Sequence, residues 1–258
     1  MKPHQELKLF CSILEKRTSS KTREKATRLI RFIFYSSRLL ERASSRDVEW
    51  LAEIKFYSEK TGKFYRLVKT STWPYLEISG IRMHRADTVD PKTDANLKIR
   101  ALGRIYGVVL DCCTGLGYTA ILAAKAKSVK QVITIEKDEN VILIAKQNPY
   151  SRQLFENKKI KLIIGDAFQE IQKFSDKKFN FIIHDPPRIS IAPELYSLEF
   201  YRQLFRVLRD NGRILHYVGR PGLRQGKRYL KGIMRRLRLA GFSRIRKIDY
   251  ALSLIVEK

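Results

Sequence analysis

The chain has 258 residues, enough for one full α/β domain and a smaller appendage. Hydrophobic residues make up 44% of it, so a sizeable core can form and wholesale disorder is excluded. No stretch approaches the roughly 18 uninterrupted apolar residues of a membrane span, and residues 1–10 lack a signal-peptide pattern. We therefore expect a cytoplasmic protein without membrane contact. Three cysteines, two of them adjacent, favour neither disulfides nor a metal site.

The charge is strongly basic and unevenly distributed. There are 52 Lys and Arg against 26 Asp and Glu, a net charge of +26, which favours a polyanionic partner such as nucleic acid. Residues 212–248 contain no acidic residue at all. A heat-adapted protein usually pairs such cations with Glu, so their absence favours a phosphate-contacting surface. We predict RNA-binding residues at Arg220, Arg224, Lys227, Arg228, Lys231 and Arg235.

The N-terminal third divides into two regions. Residues 1–50 are expected to form a basic helical extension. Within it, residues 16–46 predict an amphipathic helix that either packs on the main domain or contacts phosphates. Residues 51–95 contain short aromatic and branched runs separated by Thr-Gly, Trp-Pro and Ser-Gly, which predict short strands and hairpins. Residues 87–92 are predicted to be a turn-rich linker.

From residue 96 to 258 the pattern alternates between strands and helices. Strands are predicted at 107–111, 131–135, 160–164, 179–184 and 213–218, with helices at 119–125, 141–147, 196–208 and 225–240. Two last strands, 243–250 and 252–257, lie too close together to be anything but an antiparallel hairpin. The expected fold class is α/β, with a seven-stranded, mostly parallel, doubly wound sheet and an antiparallel last strand.

The run VLDCCTGLGYTA follows the first of these strands. Its glycines, Gly115 and Gly117, are typical of a turn that approaches a nucleotide, although G-x-G alone is a weak signal. Asp111 lies at the strand end, where a carboxylate would repel a pyrophosphate but attract the amino group and sulfonium of S-adenosylmethionine.

Acidic residues end the next two strands as well. Glu136 is suited to accept both ribose hydroxyls, and Asp166 is suited to hold the adenine amino group. The joint pattern predicts an S-adenosylmethionine site. The predicted cofactor-binding residues are Asp111, Thr114, Gly115, Gly117, Tyr118, Glu136, Lys137, Asp166 and Ala167.

The fourth strand ends in HDPPR. An exocyclic amine of a nucleobase is a poor nucleophile, because its lone pair is delocalised into the ring. The Asp185 carboxylate and the Pro186 carbonyl can accept both N–H hydrogens and direct the lone pair at the sulfonium methyl. Two prolines fix the backbone that presents this carbonyl. The predicted catalytic residues are Asp185, Pro186, Pro187 and Arg188.

The runs DCCTGLGYTA, TIEKDEN, GDAF and HDPPR together resemble class I S-adenosylmethionine-dependent methyltransferases. More narrowly, residues from about 78 to 258 resemble an archaeal family of predicted methyltransferases with a spermidine-synthase-like layout. The resemblance implies a Rossmann-like fold and the cofactor contacts named above, with Asp185 lining the reactive pocket. It also implies RNA as the substrate, in particular ribosomal RNA or the small ribosomal subunit, with cytosine N4 as the favoured atom.

One residue departs from the motif. Amino-methyltransferases of this type usually follow the prolines with an aromatic residue that stacks on the flipped base, whereas this chain has Arg188. Its guanidinium can stack on a base or bind phosphate, or Tyr196 or Tyr217 can supply the platform. His184 and His216 are either bases or packed histidines.

Alternative functions stay open at this point. The spermidine-synthase-like layout allows an aminopropyltransferase, although a polycationic substrate suits a chain of +26 poorly. A non-catalytic RNA-binding or ribosome-assembly factor could retain the same fold. Methylation of a protein or of a small molecule is disfavoured by the charge without being excluded.

Overall fold

The computed structural model describes residues 54–219 and 225–258; the side chains of 225–227 are outside this description. The predictions for residues 1–50, for Arg220 and Arg224, and for the side chain of Lys227 therefore lie outside the described residues. None of the helices in the described part is long and apolar enough to cross a membrane.

Residues 55–82 form a small antiparallel sheet, as the hairpin signals predict. Its strands are β1 (Lys55–Ser58), β2 (Lys63–Val68), β3 (Tyr75–Ile78) and β4 (Ile81–Arg82), paired in that order. The sheet contacts the main domain through two tyrosine hydroxyls. Tyr65 donates to the Asp138 carboxylate at 2.6 Å, and Tyr118 donates to the Pro74 carbonyl at 2.8 Å.

Helix α1 (Pro91–Leu102) was not predicted. Asp90 caps it by accepting from the Thr93 N–H, and Pro91 occupies the first turn, where its missing N–H costs nothing. The expected linker therefore ends at Asp90, and the helix spans the boundary expected between 95 and 96. Its inward face buries the charged Asp94 and Lys98 together with Pro91, Ala95 and Leu102, so the hydrophobic periodicity is interrupted and did not indicate a helix.

The main sheet has the predicted seven strands. They are β5 (Gly107–Cys112), β6 (Val129–Glu136), β7 (Ile160–Ile164), β8 (Phe179–His184), β9 (Leu208–Tyr217), β10 (Arg244–Ile248) and β11 (Ser253–Glu257). The order is β10-β11-β9-β8-β5-β6-β7. Strands β5 to β9 are parallel, and β11 runs antiparallel to both β9 and β10. This confirms the predicted fold class.

Helices cover the sheet between these strands. They are α2 (Tyr118–Lys125), α3 (Glu139–Gln147), α4 (Arg152–Glu156), α5 (Ala167–Glu170), α6 (Leu198–Val207) and α7 (Gln225–Leu239). Helix α6 starts later than predicted, because the Ser197 hydroxyl accepts from the Phe200 N–H and caps it. The core between β8, β9, α6 and α7 is apolar and fully buried at Ile182, Leu204 and Ile233.

Asp111 is a buried carboxylate in the main sheet, in contact with α2 and β6. It is fully buried in β5 and accepts hydrogen bonds from Thr119 of α2 at 2.9 Å and from Thr134 of β6 at 2.7 Å. Burial raises the pKa of Asp111 to about 7, although the two hydroxyl bonds oppose that rise.

This pKa predicts a specific pH dependence of stability. A carboxyl with a raised folded pKa binds its proton more tightly in the folded state, so its contribution is fully present near pH 4 and is lost as pH rises towards 7. Between pH 4 and 7 the free energy of unfolding in urea should fall less in Asp111→Asn than in the wild type. The two falls should differ by a few kcal/mol, since one pKa unit corresponds to about 1.4 kcal/mol. Asp249→Asn, at an exposed position, serves as the control, and a slope equal to that of the wild type in Asp111→Asn would contradict the assignment.

Candidate functional site

Four parallel strands end side by side at one edge of the sheet. Cys112 of β5 lies opposite Ile135 of β6 and His184 of β8, and Glu136 of β6 lies opposite Ile164 of β7. The segments that follow these strands, 113–117, 137–138, 165–166 and 185–188, therefore meet at this edge. This is the juxtaposition on which the predicted cofactor site depends.

The turn after β5 has left-handed backbone at three positions. Cys113, Gly115 and Gly117 have φ of 73°, 54° and 78°, and Cys113 is the one that carries a side chain despite the steric cost. A Cβ on Gly115 would meet no atom within 4 Å, whereas one on Gly117 would lie 2.8 Å from the Leu154 side chain. Gly115 therefore faces open space, and Gly117 allows close packing.

Glu136 joins the end of β6 to this turn. Its Oε2 accepts from the Gly115 N–H and its Oε1 from the Asp138 N–H, both at 2.9 Å. Burial raises the pKa of Glu136 above its usual value, although these backbone bonds oppose that rise. Each carboxylate oxygen keeps a further lone pair, so the half-buried Glu136 can still accept ribose hydroxyls beside the open space at Gly115.

Asp166 and Lys137 also lie together at this edge. The Lys137 ammonium donates to Asp166 Oδ2 at 2.6 Å, while Oδ1 caps α5 by accepting from the Phe168 N–H at 2.9 Å. Ala167 is buried in the first turn of α5. Asp166 keeps acceptor capacity, and its interaction with an adenine amino group stays a prediction.

Three predicted cofactor residues direct their side chains inwards. Thr114 shares a 2.6 Å hydrogen bond with Thr134, and the Tyr118 hydroxyl accepts from Asn148 at 2.8 Å besides its bond to Pro74. The carboxylate of Asp111 is engaged by two threonines, as described above. These side chains stabilise the floor of the site, and a ligand there would meet the backbone of the turn.

The segment after β8 combines a partly exposed carboxylate with a braced backbone. The side chain of Asp185 is 23% exposed, Pro186 is buried and Arg188 is exposed. The Tyr196 hydroxyl donates to the Pro187 carbonyl at 2.9 Å. Arg236 of α7 donates in turn to the Tyr196 carbonyl at 2.8 Å. Two hydrogen bonds thus connect α7 to the reactive segment.

Lys98 of α1 is a site residue that sequence reasoning missed. Its ammonium lies 2.6 Å from Asp185 Oδ2 and 2.8 Å from Asp94 Oδ2, and its side chain is 7% exposed. Burial alone would lower the pKa of Lys98, but the carboxylates of Asp185 and Asp94 raise it above its ordinary value. The ammonium also lies 4.2 Å from the ring centre of Tyr217. Within the described residues, no group donates to Asp185 Oδ1.

The two histidines of β8 and β9 belong to the core. His184 and His216 are fully buried with ring centres 4.5 Å apart. His184 Nε2 bonds the Leu195 carbonyl, and His216 Nε2 bonds the Tyr201 hydroxyl. Burial lowers the pKa of His184 to about 4 and that of His216 well below its usual value, which agrees with packed histidines. Tyr196 is buried as well and out of reach of a base, so the exposed Arg188 and the half-buried Tyr217 stay the candidate stacking groups.

Residues 81–85 approach the same site from the small sheet. Strand β4 pairs with β3 as an edge strand, and the His84 ring lies 5.4 Å from that of Tyr118. Arg85 Nη1 is 3.7 Å from Asp94 Oδ1. This segment therefore contributes a cation to the cluster around Lys98.

Helix α7 carries a basic stripe on its outer face. Arg228, Lys231 and Arg235 are exposed, as is Arg238 one turn further on, and the described part of the chain provides no ion-pair partner for any of them. Paired surface cations are common elsewhere in the molecule. The stripe has the accessible, uncompensated charge that phosphate contacts require.

Comparisons with known proteins find related chains. An uncharacterized protein of Methanocaldococcus jannaschii is 49% identical over 197 residues, which cover 76% of this chain and 67% of that protein. A polyamine aminopropyltransferase of Saccharolobus islandicus is 34% identical over 194 residues, covering 67% of this chain and 64% of the relative. A release factor glutamine methyltransferase of Buchnera aphidicola is 35% identical over 131 residues, which cover 48% of this chain and 45% of that protein. The chain thus spans about two thirds or less of the length of these relatives.

The fold is similar to that of solved aminopropyltransferases. A spermidine synthase in complex with the transition state analogue AdoDATO matches with a TM-score of 0.62 at 18% identity, covering 78% of this chain and 71% of that one. The spermine/spermidine synthase domain matches residues 114–243, which include the glycine turn, Glu136 and Asp185. The chain therefore belongs to the spermine/spermidine synthase domain family.

Proposed function

We propose that the protein is an S-adenosylmethionine-dependent methyltransferase that modifies an exocyclic amino group of a nucleobase in RNA, with cytosine N4 of ribosomal RNA as the first atom to test. The observation that carries the proposal is the Asp185 carboxylate, on the segment next to the open turn at Gly115. Lys98 donates to one of its oxygens, and no group in the described part of the chain donates to the other.

Bound S-adenosylmethionine would supply a methyl group on a sulfonium. Its adenosyl part would lie over Gly115, with the ribose hydroxyls on Glu136. The residues after β8 would then orient the acceptor amine, with Asp185 Oδ1 accepting one N–H and the Pro186 carbonyl the other. The amine proton becomes acidic as the N–C bond forms, and Asp185 is placed to receive it.

The amine must be brought out of any helix to reach this edge. Tyr217 presents an aromatic ring beside Lys98, and Arg188 is exposed next to Pro187. Tyr217 would stack on the extruded base, and Arg188 would contact the base or its phosphate. The stripe on α7 would hold neighbouring phosphates and supply the sequence-independent part of the affinity.

Aminopropyl transfer is the second candidate function, because the family match and a relative with 34% identity point to it. The two reactions share the sulfonium and an amine nucleophile, and they differ in the charge of the acceptor. A net charge of +26 and an uncompensated basic stripe favour an anionic substrate over a polyamine.

Two glycine substitutions should separate ligand contact from packing. Gly115→Ala places a methyl group in open space, so it should cost about 1–2 kcal/mol of backbone strain and reduce S-adenosylmethionine affinity at least tenfold. In Gly117→Ala the new methyl group meets Leu154, so overpacking should lower the free energy of unfolding by a further ~1–3 kcal/mol. Calorimetric binding and thermal melts measure both, and wild-type affinity in Gly115→Ala would contradict the proposed cofactor position.

Asp185→Asn tests the chemistry. The substitution removes the acceptor of the amine proton, so methyl transfer to RNA from cells lacking the gene should fall about 100-fold or more, with cofactor affinity unchanged. Mass spectrometry of nucleosides identifies the product, and Asp249→Asn is the matched control. Aminopropyl transfer from decarboxylated S-adenosylmethionine to putrescine without RNA methylation would overturn the proposal. Methyl transfer that is equal in wild type and variant would overturn the role of Asp185, and no transfer by either protein would favour a non-catalytic factor.

The stripe on α7 predicts a salt-dependent contribution to RNA binding. Changing Arg228, Lys231 and Arg235 together to Gln should weaken RNA binding whatever the sequence, and should reduce the slope of log K against log salt by about two units. The control changes Lys125, Lys127 and Lys130 to Gln, an equal loss of charge at exposed positions elsewhere. Equal effects of the two triple variants would show a general charge effect rather than a binding surface.

A further inference from the structure

A compact cluster of four charges lies behind the reactive segment. Lys98 is held between Asp94 and Asp185, at 2.8 and 2.6 Å, and Arg85 approaches the other oxygen of Asp94 at 3.7 Å. The side chains of Arg85, Asp94 and Lys98 are each at least nine-tenths buried. Buried charges are stable only when compensated, and here two carboxylates are compensated by two cations.

This balance decides which amines the site can accept. A cationic amine, such as the ammonium of a polyamine, needs an uncompensated carboxylate to replace its lost hydration. The carboxylates of Asp94 and Asp185 are already neutralised, and the Lys98 ammonium itself would repel a second cation. A neutral amine needs hydrogen-bond acceptors rather than charge, and Asp185 Oδ1 offers one.

The Lys98 ammonium also lies on the aromatic ring of the site. The Lys98 ammonium lies 4.2 Å from the centre of the Tyr217 ring, a cation–π distance. Its positive charge therefore occupies a place where the ring would otherwise attract an alkylammonium group. A second observation is that Asp94 Oδ1 is buried without a hydrogen-bond donor among the described residues. Loss of Lys98 would leave Asp94 with the distant Arg85 as its partner.

We propose that Lys98 is a specificity-determining residue that excludes cationic alkylamines from the reactive site and reserves it for neutral aromatic amines. This inference rests on the proposed function, since it explains how a member of the spermine/spermidine synthase domain family would reject polyamines. Lys98 acts through Asp185, and its removal would leave the partly exposed Asp185 carboxylate, with the buried Asp94 behind it, uncompensated towards a cationic substrate.

Lys98→Met tests this inference by binding rather than by turnover. Calorimetry with spermidine and with putrescine should detect no binding at this site in the wild type, and affinity at least about tenfold higher in Lys98→Met, since one nearby unit charge is removed. The gain should shrink as salt is raised. Lys98→Arg, which keeps the charge, should behave as the wild type does.

The double variant Asp94→Asn/Lys98→Met covers a failure of Lys98→Met to fold, because it removes one charge of each sign. It should also bind polyamines more tightly than the wild type, through Asp185. Unchanged polyamine affinity in a folded variant would overturn the role of Lys98, even if the wild type methylates RNA. A gain in affinity together with absent RNA methylation would overturn the proposed function and leave the role of Lys98 standing.

Discussion

The hydrogen bond from Lys98 to Asp185 connects helix α1 to the end of the central strand β8. Strand β8 lies in the middle of the sheet, with β5 on one side and β9 on the other, so its end is flanked by strands on both sides. A lone carboxylate there would lose much of its hydration. The ammonium that compensates Asp185 comes from outside the sheet, and the geometry of the site thus depends on a helix that precedes the first strand of the domain.

The small sheet and α1 both contribute contacts to the candidate site. Arg85 follows β4 and approaches Asp94, Tyr65 bonds the cap of α3, and Tyr118 bonds the Pro74 carbonyl. The two tyrosine bonds join residues far apart in the chain, and the Arg85–Asp94 pair is almost fully buried. The carboxyl edge is therefore covered from one side by elements that the Rossmann-like sheet alone would not supply.

Much of the fold was predictable because its signals are local. Strand β8 was predicted with its observed bounds, since the mostly apolar run FNFIIH is typical of a strand buried on both faces. The final hairpin was predicted from the short connection between its strands. Asp185, Glu136 and Gly115 were predicted because strand ends in a parallel sheet meet at one edge. Helix α1 was not predicted, because Asp94 and Lys98 interrupt the apolar pattern of its buried face, and a charged residue gives no sign of the partner that will bury it. The neutral packing of His184 and His216 likewise depends on neighbours distant in sequence.

One edge of the main sheet is strongly basic. Strand β10 is an edge strand of sequence RIRKI, and Arg244, Arg246 and Lys247 are exposed along it. An unprotected edge strand can continue its hydrogen-bonding ladder into a neighbouring copy, which leads to association. Two such edges would bring like charges face to face at strand-pairing distance, although Glu257 and Asp249 compensate part of that charge. Among the described residues no strand pairs with the outer side of β10, and its basic character disfavours self-association through this edge.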